Sequence, residues 1–335
     1  MTGGQASNFL LRTRGARKVI VVDLGFLGDS VHLVPALWEV RRHYPGAEVH
    51  TLSAMVGAEV LKLAPCLTRA WGFPLSAESP PWWRHWDIIG ALRRERFDVA
   101  YNFSGADRTI FMTALTGAPH RLAHEGGRKH FWNRWFIGDW IGRQDRSLPV
   151  YEQRRQVLAA CGFALEPARF DLKAPDDARR WASGVIPPKT AHLSINASGP
   201  EKEWPLANWV ELVKRLLEAR PEMSLAASAS GNPRERERLA ALRAAVTNNR
   251  LICVEAPSIG QLSAALERCR LHIGADSGVL HLAMALGTPT LGVFRQYDGL
   301  NEWLPRGEQH RALVGKDLES VLIEAMTTEA LRILD

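Results

Sequence analysis

The residues best placed to do chemistry lie at 271–294, which reads LHIGADSGVLHLAMALGTPTLGVF. Small and polar residues at 274–278 separate two apolar segments, a pattern typical of a strand, a tight turn, a helix and a second strand. A helix that begins directly after Asp276 and Ser277 presents free N–H groups and a partial positive charge to the end of the preceding strand. This arrangement predicts a phosphate site, and His281 lies close enough, in the first turn of the helix, to reach the same ligand.

A more ordinary interpretation fits the same stretch. In that alternative, Asp276 or Ser277 caps the helix of a plain strand–helix–strand unit, and His281 is a core residue. Gly287 and Pro289 end the helix in either case. Both alternatives stay open when this stretch is considered alone.

A second glycine-bearing turn, at 25–30, follows a buried strand predicted at 18–24, KVIVVDL. A helix is predicted at 31–43, so the turn lies at the carboxyl end of a first strand, where open α/β sheets bind ligands. Asp29 is the carboxylate of this turn, and by itself it is better explained as a helix cap. No G-x-G-x-x-G follows the strand and no G-x-x-x-x-G-K-[ST] occurs in the chain, so dinucleotide and P-loop sites are not favoured.

Three separated motifs resemble those of glycosyltransferase family 9, the bacterial heptosyltransferases. They are V-V-D-L-G-F-L-G-D-S-V-H-x-x-P-A-L at 21–37, a segment ending in K-x-W-P at 197–205, and D-S-G-x-x-H-L-A-x-A-x-G-T-P-x-x-G-V-F at 276–294. The likeness spans nearly the whole chain and keeps the motifs in order. It implies an α/β protein with the GT-B fold, in which two Rossmann-like, doubly wound domains face each other across a cleft. It also implies a nucleotide sugar as donor, typically ADP-heptose.

The resemblance assigns roles to individual residues. Asp29 corresponds to the catalytic base of the family. Ser198 and Lys202 correspond to ligands of the nucleotide phosphates, and Glu235 to the acidic residue that bonds the ribose. The remaining donor-binding positions are Asp276, Ser277, Gly278 and His281. Without the flanking motifs, Lys202 is explained as a surface lysine and Glu235 as a first-turn glutamate favoured by the helix dipole.

Three departures from the family pattern bear on the sugar. Asp23 stands where the family usually has Arg or Lys, which changes the charge beside Asp29. Ala197 replaces a hydroxyl residue next to Ser198. Residues 295–298, RQYD, replace a small G-x-[ST] loop close to where the donor sugar should lie. A donor other than the standard heptose is therefore an alternative.

The expected function is inverting transfer of a sugar, heptose from ADP-heptose in the first instance, onto an anionic cell-envelope saccharide such as the lipopolysaccharide inner core. Asp29 is expected to act as general base. Lys202, Ser198 and the helix N-terminus at Ser277–Gly278 are expected to stabilise the leaving diphosphate. No Asp-x-Asp motif is apparent, so neither a metal nor a cofactor is expected. The alternatives are another nucleotide sugar or acceptor, a nucleotide-sugar epimerase, and a non-catalytic sugar-nucleotide-binding protein.

Basic charge and tryptophan are concentrated in the first half of the chain. Residues 1–170 hold 22 basic and 15 acidic residues, whereas the rest holds 20 and 21, and eight of the twelve tryptophans lie in the first half. This asymmetry predicts an anionic acceptor, or a membrane surface, as partner. The candidate acceptor-side residues are Arg128, Lys129 and Arg134. A solvated basic face, or a subdomain at 124–148 that buries its own tryptophans, is the alternative. Nothing resembles a nucleic-acid-binding motif, so no nucleic acid is expected.

A chain of 335 residues is long enough for two domains. The predicted divisions are an acceptor-side Rossmann-like domain (1–165) that opens with a disordered or loosely packed arm (1–17), a linker (166–188), a nucleotide-sugar domain (189–317) and a final helix (318–335). In GT-B proteins such a helix often crosses back to the first domain. The four cysteines are scattered and no apolar run reaches the roughly 18 residues of a membrane span. A cytoplasmic location is therefore expected, with peripheral contact at the inner membrane face as an additional expectation.

Overall fold

The computed structural model describes residues 7–75, 85–125 and 130–335. The chain divides into two units, Met1–Asp171 and Leu172–Asp335. Each unit is built on a sheet of six strands, and the strand pairs within each sheet are parallel. The predicted α/β class with two doubly wound sheets is therefore confirmed.

The first unit alternates strands and helices along the chain. Its strands are β1 (Lys18–Val22), β2 (Glu48–Ala54), β3 (Arg69–Phe73), β4 (Val99–Asn102), β5 (His120–His124) and β6 (Asp139–Ile141). Its helices are α1 (Phe9–Thr13), α2 (Leu27–His43), α3 (Met55–Leu61), α4 (Trp86–Glu95), α5 (Asp107–Leu115), α6 (Asn133–Phe136) and α7 (Val150–Ala160). The strand order is β3-β2-β1-β4-β5-β6. The order reverses between β1 and β4, which opens a crevice at the carboxyl ends of these two strands.

The second unit repeats this plan. Its strands are β7 (Thr190–Ser194), β8 (Ser224–Ala229), β9 (Leu251–Glu255), β10 (Leu271–Ala275), β11 (Thr290–Arg295) and β12 (His310–Gly315). Its helices are α8 (Asp176–Val185), α9 (Leu206–Ala219), α10 (Pro233–Ala245), α11 (Ile259–Arg268), α12 (Gly278–Ala285), α13 (Leu300–Trp303) and α14 (Ile323–Leu334). The strand order is β12-β11-β10-β7-β8-β9, so the crevice lies between β7 and β10.

The central strands are apolar on both faces because helices cover both sides of each sheet. In β1 the residues at 19–22 have no exposed surface, and every residue of β7 is buried. The buried strands therefore position the loops at their carboxyl ends, and these loops contain the candidate functional residues.

The start of the chain is more ordered than the predicted arm. Within residues 7–17, α1 buries Phe9 and Thr13. The Phe9 ring lies edge-on to Tyr101 with 5.4 Å between ring centroids, and Thr13 Oγ1 lies 2.6 Å from the Tyr44 hydroxyl. The prediction of a disordered or loosely packed arm is wrong for residues 7–17, because the partners of Phe9 and Thr13 are supplied by elements that lie far along the chain.

The boundary between the two units, between Asp171 and Leu172, falls within the predicted linker (166–188), but that range is not irregular throughout. The range 166–188 contains the helix α8, whose Ala178 and Ala182 pack on Ala264. The final helix, α14, packs on α9 and on strands β10, β11 and β12 of its own unit. Its Met326 and Ala330 are buried in the core of the second unit, so this helix stabilises the second sheet.

A pair of buried histidines lies across the crevice of the second sheet. His192 of β7 and His272 of β10 are paired in register, and their Nδ1 atoms are 3.0 Å apart. Burial lowers the pKa of His192 to about 4, and burial together with His192 lowers the pKa of His272 well below its usual value. The unfolded chain takes up these protons near pH 6.5, whereas the folded chain does so only at lower pH. The free energy of unfolding should therefore fall as the pH drops below about 6.5.

For His192 alone we expect a loss of about 1.3 kcal/mol in the free energy of unfolding between pH 7.5 and pH 5.5. Urea unfolding at both pH values measures it. His192→Gln keeps a polar side chain near Ser228, which lies 3.0 Å from His192 Nε2. This variant should show a smaller difference between the two pH values than the wild type. An unchanged difference would assign the acid sensitivity to other groups.

Candidate functional site

The turn after β1 presents the carboxylate of Asp29. Helix α2 begins at Leu27 with Phe26 as its N-cap residue, so Asp29 is the third residue of the helix and its carboxylate takes part in a capping box, in line with the capping alternative. Its Oδ2 accepts a hydrogen bond from the Phe26 N–H at 3.0 Å, and its side chain is 31% exposed. A Cβ on Gly25 would lie 2.3 Å from that of Asp29, so the turn closes on the carboxylate only with glycine there. Asp29 is thus held by the backbone while part of it faces solvent.

A buried ion pair lies beside Asp29. Arg154 of α7 donates to Asp23 Oδ2 at 2.7 Å, and Asp23 Oδ1 accepts the Gly25 N–H at 3.0 Å. Burial raises the pKa of Asp23, and the charge of Arg154 opposes that rise. The sequence indicated an altered charge at Asp23 but no partner for it. Arg154 lies 131 residues away along the chain, and no sequence signal pointed to it.

In the second unit, a lysine and an aspartate from two separate motifs meet. Lys202 ends a short 3-10 turn after β7, and its Nζ lies 3.0 Å from Oδ2 of Asp276, which follows β10. Their side chains are 30% and 11% exposed. The two strands are neighbours in the sheet, so the loops at their carboxyl ends converge. Ser198, in the same loop as Lys202, is exposed to solvent.

Helix α12 begins beside this pair, with Ser277 as N-cap and Gly278 as first residue. The Ser277 hydroxyl makes no capping bond and lies 3.4 Å from that of Ser194. The N-terminus of α12 therefore remains a candidate phosphate site beside Lys202. His281 is 2% exposed, and the centroids of its ring and that of Trp303 are 5.5 Å apart. This burial matches the alternative in which His281 is a core residue.

Glu235 lies in the first turn of α10, as the sequence predicted. Its carboxylate accepts the Ser230 N–H at 2.9 Å, and the helix is capped by Asn232, which accepts the Arg234 N–H. Glu235 is only partly buried, so its carboxylate is accessible at the carboxyl end of β8. The geometry is compatible with both the ribose role and the ordinary first-turn glutamate.

Two arginines that the sequence analysis missed hold the loop of Lys202. Arg234 lies 2.7 Å from the Glu203 carboxylate and Arg238 lies 3.3 Å from it, and the Glu203 side chain is only 5% exposed. Arg234 also donates to the backbone carbonyl of Ala197, and Arg238 donates to the carbonyls of Ile195 and Trp204. The four-residue spacing of Arg234 and Arg238 places both on one face of the helix, and it was the feature of the sequence that could have indicated their shared role.

Tyr297 adds a third side chain to the pair of Lys202 and Asp276 in the second unit. Its hydroxyl donates to Asp276 Oδ2 at 3.2 Å, and the Lys202 Nζ and the Arg295 guanidinium carbon lie 5.6 and 5.9 Å from the centre of its ring. Burial, and then the charge of Asp276, raises the pKa of Tyr297, so its hydroxyl stays a donor at neutral pH. The loop at 295–298, which departs from the family motif, therefore contacts the proposed donor site directly.

The acceptor-side candidates are only partly covered by the structure. Arg128 and Lys129 lie outside the described residues. Arg134 is exposed on α6, next to Trp135, which is 75% exposed. The alternative in which this segment buries its tryptophans is therefore wrong for Trp135. Among the helices the structure describes, none is long and apolar enough to cross a bilayer.

Glu48, His50 and Glu95 form a group close enough to hold a metal, with ligand atoms within 4.8 Å of one another. Lys18 already neutralises both carboxylates, at 2.7 Å from Glu95 and 3.4 Å from Glu48. His50 Nδ1 accepts the N–H of Trp71, so that nitrogen is engaged as well. The group is accounted for as an ion-pair network that joins β1, β2 and the end of α4.

A family model and several known proteins match most of the chain. The family model Glycosyltransferase family 9 (heptosyltransferase) matches residues 85–319, well over half of the chain. The chain is 22% identical over 294 residues to lipopolysaccharide heptosyltransferase 2 of Escherichia coli K12, covering 83% of this chain and 82% of that protein. It is 26% identical over 297 residues to lipopolysaccharide heptosyltransferase 1 of Pseudomonas aeruginosa, covering 83% and 78%.

The structural likeness covers almost the whole chain. The structure of the E. coli heptosyltransferase WaaC with ADP aligns with a TM-score of 0.78 at 18% identity, covering 94% of this chain and 99% of that one. At 18% identity the structural likeness shows the fold alone, whereas the family match shows the type of enzyme. The chain therefore belongs to glycosyltransferase family 9 (heptosyltransferase) and is a glycosyltransferase with the GT-B fold.

Proposed function

We propose that the protein is an inverting transferase that moves heptose from ADP-heptose onto an anionic cell-envelope saccharide such as the lipopolysaccharide inner core. The observation that carries the proposal is the Lys202 ammonium, held 3.0 Å from Asp276 at the start of α12. A cation beside a helix N-terminus suits a diphosphate, and the carboxyl edge of such a sheet is where nucleotides bind. The ADP in the WaaC structure supports an adenine nucleotide.

In the proposed reaction, the acceptor hydroxyl oxygen bonds to the anomeric carbon while its proton passes to Asp29. The bond from that carbon to the diphosphate oxygen breaks, and the nucleoside diphosphate leaves with the electron pair. Attack opposite the leaving group inverts the anomeric centre. Lys202, Ser198 and the first N–H groups of α12 stabilise the charge that grows on the diphosphate.

The remaining donor residues serve orientation in this proposal. Glu235 exchanges its bond to the Ser230 N–H for a ribose hydroxyl, and Asp276 and His281 hold the sugar or its phosphate. Because Lys202 and α12 supply the positive charge, we propose that the reaction requires neither a metal ion nor a cofactor.

The test is a nucleotide panel followed by turnover. Thermal shift with ADP, UDP, GDP and CMP should show the largest stabilisation by ADP, because a ligand that binds only the folded chain raises its stability. ADP-heptose turnover on truncated lipopolysaccharide should then proceed in the presence of EDTA. Conversion of the donor without any acceptor would favour the epimerase alternative, and binding without turnover would favour a non-catalytic protein.

A second candidate is transfer from a different nucleotide sugar by the same mechanism. The bond from Tyr297 to Asp276 favours it, because the family motif has a small loop at this position and the donor sugar must fit beside a tyrosine here. Stronger stabilisation by UDP or GDP than by ADP in the same panel would select this candidate.

The acceptor is proposed to be anionic and to meet the basic first unit, either at the membrane surface or as a soluble saccharide. Exposed charges are screened over about 10 Å at 0.1 M salt, so added salt should raise the acceptor KM more than the donor KM. Arg134→Glu should raise the acceptor KM roughly fivefold at low salt, from about 1 kcal/mol for an exposed charge pair. Steady-state kinetics with each substrate varied in turn measures both effects.

Arg270→Glu is the matched control for this charge reversal. Arg270 is exposed and precedes β10, at the opposite edge of the second sheet from the donor site. It should leave both KM values at the wild-type level. If salt and Arg134→Glu change neither KM selectively, the basic face is a solvated surface and the acceptor need not be anionic.

A further inference from the structure

A guanidinium is buried next to the proposed base. The Arg154 side chain is 7% exposed and that of Asp23 is 4% exposed. One Nη of Arg154 bonds Asp23 at 2.7 Å and lies 3.7 Å from Asp29 Oδ1. The other Nη donates to the Asp29 backbone carbonyl at 2.5 Å. One side chain from α7 therefore contacts both the backbone and the carboxylate of Asp29.

These contacts close a ring around the turn. Asp23 binds the Gly25 N–H with one oxygen and Arg154 with the other. Arg154 donates to the backbone carbonyl of Asp29, and the Asp29 carboxylate accepts the Phe26 N–H of the same turn. The carboxylate of Asp29 is consequently hydrogen-bonded by the backbone at Oδ2 and lies within ion-pair distance of the guanidinium at Oδ1.

Stability alone is a weak reason for such a pair. Two charges taken out of water lose much of their hydration, and a buried ion pair is often no more stabilising than apolar residues of the same volume. The charge on Arg154 is balanced by Asp23. The cation beside Asp29 is thus supplied by α7 and is held in place by Asp23.

The neighbouring Arg155 shows what a structural arginine on α7 does. Its side chain is 6% exposed, and it pairs with Glu39 at 3.2 Å and with Glu152 at 2.6 Å. It also donates to the carbonyl of Glu166. These contacts tie α7 to α2 and to the following loop. Arg155 therefore matches Arg154 in type, burial and helix, while its described partners lie away from the turn.

We propose that Arg154 is a positioning residue that fixes the carboxylate of Asp29 toward the acceptor hydroxyl, and that Asp23 anchors Arg154 in that role. The proposal rests on the function proposed above, in which Asp29 is the general base. A base that is misplaced by about 1 Å loses on the order of 100-fold in rate. Arg154→Met should therefore lower kcat by roughly 10- to 100-fold while the donor KM stays close to the wild-type value.

A double-mutant cycle with Asp29→Asn separates positioning from support of the fold. If Arg154 acts through Asp29, then Arg154→Met should change kcat by less than about threefold once Asp29 is asparagine, because coupled residues are not additive. Arg154→Lys keeps the charge but lacks the planar fork, so it should recover part of the kcat lost in Arg154→Met. Arg155→Lys is the control, and its kcat should stay at the wild-type level even if its thermal midpoint falls.

The outcomes are distinct. Multiplicative losses in the double variant, or an unchanged kcat in Arg154→Met, would overturn the positioning role and leave the base assignment standing. Wild-type turnover in Asp29→Asn would overturn the base assignment and, with it, the role of Arg154. Should Arg154→Met fail to fold, Arg154→Lys and Asp23→Asn are judged by the same kcat criterion and by the same cycle with Asp29→Asn.

Discussion

Replacing Asp29 by asparagine should lower turnover by roughly 10²–10⁴-fold, the usual contribution of a general base. Asparagine has the same size and can still accept the Phe26 N–H, so the turn should keep its shape. Arg154 retains Asp23 as its partner at 2.7 Å, so no buried charge is left unpaired. Binding of ADP should be nearly unchanged, because Asp29 lies in the first unit and the proposed nucleotide site lies in the second. Steady-state kinetics together with ADP titration measures both quantities.

Asp87→Asn is a matched control for the loss of a first-turn carboxylate. Asp87 is exposed in the first turn of α4, where it has the same favourable interaction with a helix dipole. It should retain wild-type kcat. Turnover at the wild-type rate in Asp29→Asn would show that another group takes the proton.

Replacing Lys202 by alanine should weaken ADP binding by roughly 10- to 100-fold, as expected for the loss of a hydrogen bond to a charged group worth about 1.5–3 kcal/mol. Adenosine, which lacks phosphates, should bind as it does to the wild type. The structure adds a reason to expect the upper part of this range. Without Lys202, Asp276 keeps the Tyr297 hydroxyl as a partner but loses its cation, so its charge would repel the phosphates. Calorimetric titration with ADP and adenosine checks the difference.

The control for Lys202 is Lys214→Ala, at an exposed position on α9. It should leave both affinities unchanged. Equal losses for ADP and adenosine in Lys202→Ala would mean that Lys202 supports the fold of the loop rather than the phosphates.

The convergence of Lys202 and Asp276 could be anticipated from the sequence, although the residues are 74 positions apart. Each follows an apolar segment that reads as a parallel strand, and parallel strands in one sheet bring their carboxyl ends to the same edge. The same logic placed Asp29 at a ligand-binding turn. It did not place the first residue of α2, since Leu27–Ser30 reads as a turn but is already helical.

The partners of these residues could not be anticipated in the same way. Arg154 lies in the middle of α7, and the sequence QRRQ does not distinguish it from Arg155. Only the packing of α7 on α2 decides that one arginine faces the turn and the other faces Glu39. The order of residues 7–17 was missed for a related reason, because Phe9 is buried by residues from distant elements.

By itself, the sequence determined the fold class, the family and the strand ends at which the candidate residues lie, because these follow from local patterns of apolar residues, glycine turns and short motifs. The tertiary structure decided how the charges pair: Asp23 with Arg154, Glu203 with Arg234, and Asp276 with both Lys202 and Tyr297. Such pairing depends on side-chain direction and on burial, which arise only when helices and loops distant in sequence pack on the same sheet edge. A charged side chain buried there needs a partner of opposite charge or hydrogen-bond donors, and the packing determines which one it finds.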